Sequence, residues 1–453
     1  MVGRRDVVVV GARCAGAPLA TLLARAGLSV ALIDRATFPS DTPSTHVFQA
    51  PGVAVLGRLG VVERLLASGA PWLEVAEFRI DDVHARVPWP TLPDDPGPGL
   101  CVRRPVLDTI LVETAEAAGV AVHTGVRVTG TIEEGGRVAG VRAVNAGGGE
   151  LRFEAPLVVG ADGRRSTVAR LVEARTYNVS PNERFGFWAY YEGAAWSEPA
   201  TIFLLRWNDE FVIACPTDGG LFMVSLLLSL EHLRSFCADV EGSYDTHVAG
   251  CDLLEGILAG ARRVDRPRGM ASFSGFFREA AGPGWALVGD AGHFKDPSPG
   301  QGISDALRQS ERLAEVIVAA GGRPEETDAA LARWWRWRDR DAAQMHWFAS
   351  DLGGAGPVPV VFTELLRGLS REPDGLSRAV DVFNHRVAPR ELLTPRRLAT
   401  AAAHAVAGGS PPRSVLREVR DVAAREVQRR WRDRRPLFAD EEPVPEADPA
   451  AVG

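Results

Sequence analysis

The chain has 453 residues, 46% hydrophobic and 24% charged, with a net charge of -7, values that fit two or three globular cores. That charge makes no electrostatic case for nucleic acid or an anionic membrane, and no stretch reaches the about 18 uncharged apolar residues of a membrane span. Five isolated cysteines, at 14, 101, 215, 237 and 251, lack C-x-x-C spacing and are odd in number, which argues against a disulfide framework or zinc site and suits a cytoplasmic setting.

The opening "MVGRRDVVVVGARCAGAPLA" imitates a twin-arginine signal, but Asp6 and Arg13 interrupt its apolar run. A buried strand and a glycine turn fit better. "DVVVV" (6–10) leaves no polar side and reads as a strand covered on both faces. Gly11 to Gly16 turn the chain, "APLATLLARAG" continues as a helix ending at Gly27, and "SVALID" (29–34) is a second buried strand closed by an acid. The turn is a G-x-G-x-x-G pattern with Arg13 in place of the middle glycine. Such a turn aims backbone N–H groups and a helix dipole at a pyrophosphate, and Asp34 stands at the distance that suits a ribose hydroxyl.

A further helix and strand are expected in "PVLDTILVETAEAAG" and "VAVHTGVRV", near 100–128. "PLVVGADGRRSTVAR" (156–170) gives a strand ending in Asp162-Gly163, then a helix start. By itself that is a strand end with an N-capped helix. From 183 to 230, short β-rich runs alternate with hairpin signals at Asn208-Asp209 and Asp218-Gly219-Gly220, an antiparallel sheet inserted into the first domain.

"GDAGHFKDPSPGQG" (289–302) follows another apolar strand and precedes the helix "ISDALRQSERLAEVIVAAGG", with Ile303, Ala306, Leu313 and Ile317 on one face. Asp290 can hold a polyol hydroxyl, and Gly300-Gln301-Gly302 presents N–H groups at a helix start. Lys295 is the only lysine of the chain. Residues 326–435 are helix-rich; their "RWWRWRDR" reads as an aromatic packing face and "RRWRDRR" as a solvated helix face. The end, "EEPVPEADPAAVG", has a disordered composition.

Three motifs in this order resemble the FAD-dependent monooxygenases of the para-hydroxybenzoate hydroxylase type, the class A flavoprotein hydroxylases, over roughly residues 5–325. "RRPVLDTIL" also matches the R-x-x-L-x-x-x-L helix start of that family through Arg104, Leu107 and Leu111. The implied fold is α/β: an FAD-binding Rossmann-like βαβ domain (1–175, with an excursion near 75–100, and 276–325), an inserted antiparallel substrate domain (176–275), a C-terminal helical region (326–435) and a disordered tail (436–453). The implied cofactors are FAD, with NAD(P)H as reductant. Gly11, Ala12, Arg13, Ala15, Gly16, Asp34 and Arg35 would serve the ADP half, with Arg104 and Val128 as further FAD contacts. Asp162 and Gly163 would serve both FAD and NAD(P)H, and Gly289, Asp290, Pro297, Gly300, Gln301 and Gly302 the riboflavin side.

The resemblance implies hydroxylation or epoxidation of an apolar, aromatic or polycyclic molecule with O2, through a flavin C4a-hydroperoxide. A reductase of isoprenoid double bonds and a non-catalytic FAD-binding protein are the alternatives. Arg13 either splays the glycine turn or lends its guanidinium to the phosphates. Cys14 reads as a small packing residue. Lys295 either stabilises anionic reduced flavin or a phenolate substrate, or points outward. His46 either faces the flavin, where it can act as a base, or is a satisfied loop histidine. Phe187, Trp188, Phe203 and Trp207 come from strands of the inserted sheet and cannot all face a pocket.

Overall fold

The computed structural model describes residues 3–439. Four consecutive valines, Val7–Val10, form a strand with every side chain buried. It lies inside a six-stranded sheet whose order is Ala281–Gly282, Trp285–Leu287, Leu157–Gly160, Val7–Val10, Val30–Ile33 and Ala121–His123. Only Ala281–Gly282 runs antiparallel to its neighbour. Both faces of such a sheet must be covered, which explains the absence of polar alternation in the valine run. The helices Gly16–Arg25, Arg104–Ala117 and Gly302–Ala319 and a three-stranded meander over 126–154 share one core with this sheet.

The single strand expected over 120–128 is two. Ala121–His123 stays in the parallel sheet, and Val126–Glu134 starts the meander. Gly125, at φ +66°, makes the turn between them, and the Asp34 carbonyl accepts the Val126 N–H at 2.9 Å.

The second sheet has eight strands. Arg184–Glu192, Phe222–Ser229, Glu210–Pro216 and Thr201–Trp207 form its antiparallel centre, and Val75–Ile80 joins Thr201–Trp207 in parallel, followed by Val83–Pro88. Trp207 pairs with Glu210 across a two-residue hairpin, and Asn208 takes the positive φ (+48°) that such turns require. Alternation splits the aromatic residues between the faces. Phe187 and Phe203 pack in the outer cluster with residues of the 233–258 helices, and Trp207 leans on that cluster too. Trp188 and Tyr190 pack on the other face with Val47 and Cys101.

Helices Pro324–Leu352, Val360–Leu369, Gly375–Phe383, Pro395–Ala407 and Pro412–Arg434 close the described chain, with a short helix at Pro389–Leu392. Trp334 is 1% exposed, so the tryptophan-rich run is a packing face. Leu352 and Val380 reach the inner cluster of the second sheet. Residues 437–439, expected to lie in a disordered tail, instead pair with the chain at 176–178. The Asn178 N–H donates to the Leu437 carbonyl and the Ala439 N–H to that of Thr176, both at 2.9 Å. Arg175 covers the Phe438 ring. The rest of that tail, 440–453, lies outside the described residues.

Candidate functional site

The glycine turn is held by contacts that leave no room for a side chain. A Cβ on Gly16 would stand 1.7 Å from the Gly11 carbonyl oxygen, and one on Gly11 would stand 2.3 Å from that of Ala161. Gly11 also sits at φ +102°, a region L-residues avoid. Asp34, at the end of the second strand, accepts the Ala12 N–H at 2.7 Å and the Ala36 N–H at 2.8 Å. Each carboxylate oxygen keeps a second lone pair for a hydroxyl donor. Arg35 is exposed beside it.

Arg13 turns its guanidinium away from the turn. It bonds Asp108 at 2.6 Å and the Ser40 hydroxyl at 2.7 Å. Asp108 is fully buried and also takes two bonds from Arg104, at 2.9 and 3.1 Å. Burial works against the Arg104 charge, yet Asp108 and Cys14 raise its pKa above the ordinary arginine value. Asp108 escaped the motif reading, although its position four residues after Arg104 on one helix face was a usable signal. Burial pushes the Cys14 thiol up to about 12, the behaviour of an inert packing group.

The loop that begins at Gly289 packs on the turn. A Cβ on Gly289 would come within 3.0 Å of the Ala15 Cβ, its N–H donates to Gln309 at 3.2 Å, and Ser310 donates to the Ala15 carbonyl at 2.7 Å. Asp290 follows, and no described residue donates a hydrogen bond to its carboxylate. Burial pushes its pKa up to about 6, against the opposing pull of Arg104 and Arg164. Pro297 closes a turn by accepting the Gly300 N–H at 2.8 Å, and Gly300 stands at φ +65°. Gln49 clamps this turn through the carbonyls of Pro299 and Gly300 and through Ser304.

Two helices open here without side-chain caps. Gly16–Arg25 and Gly302–Ala319 both lack a side-chain acceptor for their first N–H groups, and a Cβ on Gly302 would meet no atom within 4 Å. Uncapped donors beside open space suit an anionic or polar ligand.

Other motif residues are spent inside the protein. Asp162 accepts from Ser166 and the Thr167 and Val168 N–H groups. Burial raises its pKa in spite of these bonds. It caps the helix Thr167–Leu171, while Gly163 at φ +78° borders open space. Val128 pairs with Ala143 in the meander and its side chain joins the core, which leaves its backbone as the part that can meet a ligand.

Lys295 does not point outward. Its ammonium is buried, 2.6 Å from Asp305 and 2.7 Å from the Gln301 side-chain oxygen. Gln301 in turn donates to the carbonyls of Val382 and Phe383 at 3.0 Å. Burial lowers the lysine pKa, opposed by Asp305. The expectation that Lys295 points outward is corrected: with Gln301 it ties the loop to the C-terminal helices.

His46 is fully buried at φ +60°, a costly conformation for a residue with a side chain. Its Nε2 shares a 2.9 Å hydrogen bond with the Tyr190 hydroxyl, and its ring lies 5.9 Å from that of Trp188. Nδ1 has no partner among the described residues. Burial, then the charges of Arg104, Arg103 and Arg268, hold the ring pKa down to about 3, so the imidazole is neutral. Thr45 and Val47, its neighbours, abut Gly300.

A glycine turn, a ribose-type acid and two uncapped helix starts gathered at the ends of parallel strands define a dinucleotide-binding flavoprotein fold, and these residues fit FAD. A family profile described as FAD binding domain matches residues 4–224. The menaquinone reductase of Mycolicibacterium smegmatis is 30% identical over 333 residues, 70% of this chain and 77% of that protein. The 6-methylpretetramide 4-monooxygenase of Streptomyces rimosus is 29% identical over 72% of this chain and 79% of its own length. The flavin-dependent brominase Bmp2 superposes with a TM-score of 0.73 at 18% identity, covering 94% of this chain and 100% of that one. The chain belongs to the FAD-dependent oxidoreductases of the class A flavoprotein superfamily, and it is an enzyme.

Proposed function

We propose that the protein is an FAD-dependent monooxygenase, reduced by NAD(P)H, that inserts one oxygen of O2 into an apolar small molecule. The carrying observation is the position of the neutral His46–Tyr190 pair, between the Gly300 turn and the apolar inner face of the second sheet. Bound FAD supplies two-electron reduction and the reaction with oxygen; the rest falls to the chain. The glycine turn and Asp34 would hold the ADP half, Asp290 would accept from a ribityl hydroxyl, and the start of Gly302–Ala319 would offer N–H groups to the flavin. Trp188, Met223 and Phe273 keep water from the substrate side. Tyr190, bonded to His46, orients a polar group of the substrate or holds its proton.

A second reading, reduction of a carbon–carbon double bond, is favoured by the similarity to a protein named menaquinone reductase. Incubation of FAD-loaded protein with NADH or NADPH, O2 and candidate apolar substrates separates the two by mass spectrometry. A product heavier by one oxygen supports oxygenation; a product heavier by two hydrogens overturns it in favour of reduction. In either case Tyr190→Phe should lower kcat by about tenfold to a hundredfold while FAD content stays unchanged.

A further inference from the structure

Nine large apolar side chains are exposed among the described residues, and five of them, Leu416, Val427, Trp431, Leu437 and Phe438, fall between 416 and 438. Chance would scatter them over the surface; here they concentrate on the last helix and the segment after it.

The helix Pro412–Arg434 has two separate faces. Its inner side is fixed by Val415 and Val419 on the C-terminal apolar cluster, by Arg429 on Asp351 and by Trp347 on Asp433 at 3.1 Å. At 100° per residue, Leu416, Ala423, Val427 and Trp431 lie within about 80° of arc centred about 120° round the helix from that side, a stripe about 22 Å long. Leu416 and Val427 are each 70% exposed and Trp431 52%. Arg420 interrupts the stripe, Arg413 and Arg434 continue its arc one turn beyond either end and Arg430 borders it, and Arg413, Arg417 and Arg434 make no ion pair with a described residue. Residues 412–435 hold nine arginines against four acids, within a chain whose net charge is -7. The sequence reading assigns this run to a solvated helix face; a solvated face does not need a row of leucine, valine and tryptophan.

We infer that this face docks on an anionic lipid bilayer. A basic helix with tryptophan and aliphatic residues on one side lies in the plane of a membrane interface, its apolar stripe among the acyl chains and its arginines on the headgroups. No helix among the described residues is long and apolar enough to cross a membrane, and the contact inferred is a peripheral one. A second copy of the chain is the less suitable occupant, because a two-fold pairing of this face sets arginine rows against each other. The docking is independent of which reaction the flavin site performs.

The test is co-sedimentation of the full-length, FAD-loaded protein with vesicles of phosphatidylcholine alone or with about one third phosphatidylglycerol. Partition onto the anionic vesicles should exceed that onto neutral ones at least tenfold and weaken when salt is raised to about 0.5 M. Val427→Asp/Trp431→Asp should lower partition at least tenfold with melting temperature and FAD content unchanged. Arg420→Glu/Arg434→Glu should do the same while leaving the apolar stripe intact. Equal or absent binding to the two vesicle types overturns the proposal, as does binding that survives both double variants. A concentration-dependent dimer abolished by Val427→Asp/Trp431→Asp would also overturn it and assign the face to a second copy.

Discussion

Asp108, itself fully buried, receives Arg13, Arg104 and the Cys14 thiol. Asp108→Ala leaves a buried guanidinium without its counter-charge, and chemical denaturation should show a loss of about 3–5 kcal/mol. Asp290 carries the opposite strain, a carboxyl kept at about 6 by burial. Below the unfolded value of 3.8 it is protonated in both states and its contribution to stability is intact. That contribution is lost as pH rises through about 6, where the folded state must ionise a buried group. Apo-protein carrying Asp290→Asn should therefore melt higher than wild type at pH 7 and level with it below pH 3.8, by differential scanning fluorimetry across pH. For Lys295, removal should act on stability before chemistry. Lys295→Met leaves the buried Asp305 only the longer contacts of His385 and Arg308, at 3.4 and 3.6 Å, and should cost about 3 kcal/mol. Preserved stability with slowed flavin reduction would favour the catalytic reading of the lysine.

At the scale of elements, the strand–turn–helix at 7–25 rests on two glycines that no other residue can replace. Gly11→Ala drives a methyl into the Ala161 carbonyl, and FAD affinity should fall at least tenfold, measured by quenching of flavin fluorescence on titration of apo-protein. This element was legible in the sequence because its cause is local: four valines, a positive φ, an acid at the next strand end. The same holds for the Asn208-Asp209 hairpin and for the apolar face of Gly302–Ala319. What escaped depends on partners far along the chain. Lys295 pairs with Asp305 and Gln301 close by in sequence, but the burial of that group comes from the C-terminal helices, where Gln301 donates to the carbonyls of Val382 and Phe383, and nothing near position 295 announces them. Period-two alternation told that Phe187 and Trp188 oppose each other, but not which one faces His46. That depends on which side of the sheet the helices at 233–258 cover. Asp162 shows the converse: its capping geometry was readable from Ser166 alone, and the family motif drew attention elsewhere.

For the whole molecule, the two sheets and the C-terminal helices are tied by buried polar links rather than by a flexible linker. Arg184 and Arg206 both reach the Gly354 carbonyl, at 2.8 and 2.9 Å, Trp89 donates to Asn384 at 2.9 Å, and Lys295 joins loop to helix. Calorimetry should show one transition, not separate melting of a substrate domain. FAD should shift that transition as a whole, by about 2.7 kcal/mol when free flavin is a hundredfold above its Kd. Separate melting of the 184–229 strands would contradict the interlocking.

The interleaving of the strands has a consequence for biosynthesis. Val75–Ile80 pairs with Thr201–Trp207, and Val7–Val10 shares its sheet with Trp285–Leu287. A nascent chain therefore leaves its first sheet incomplete until nearly two thirds of it has been made. At ordinary bacterial-to-eukaryotic elongation rates that wait is roughly 15–55 s. Strands as apolar as these, kept waiting that long, make this polypeptide a natural client for chaperones that bind during translation.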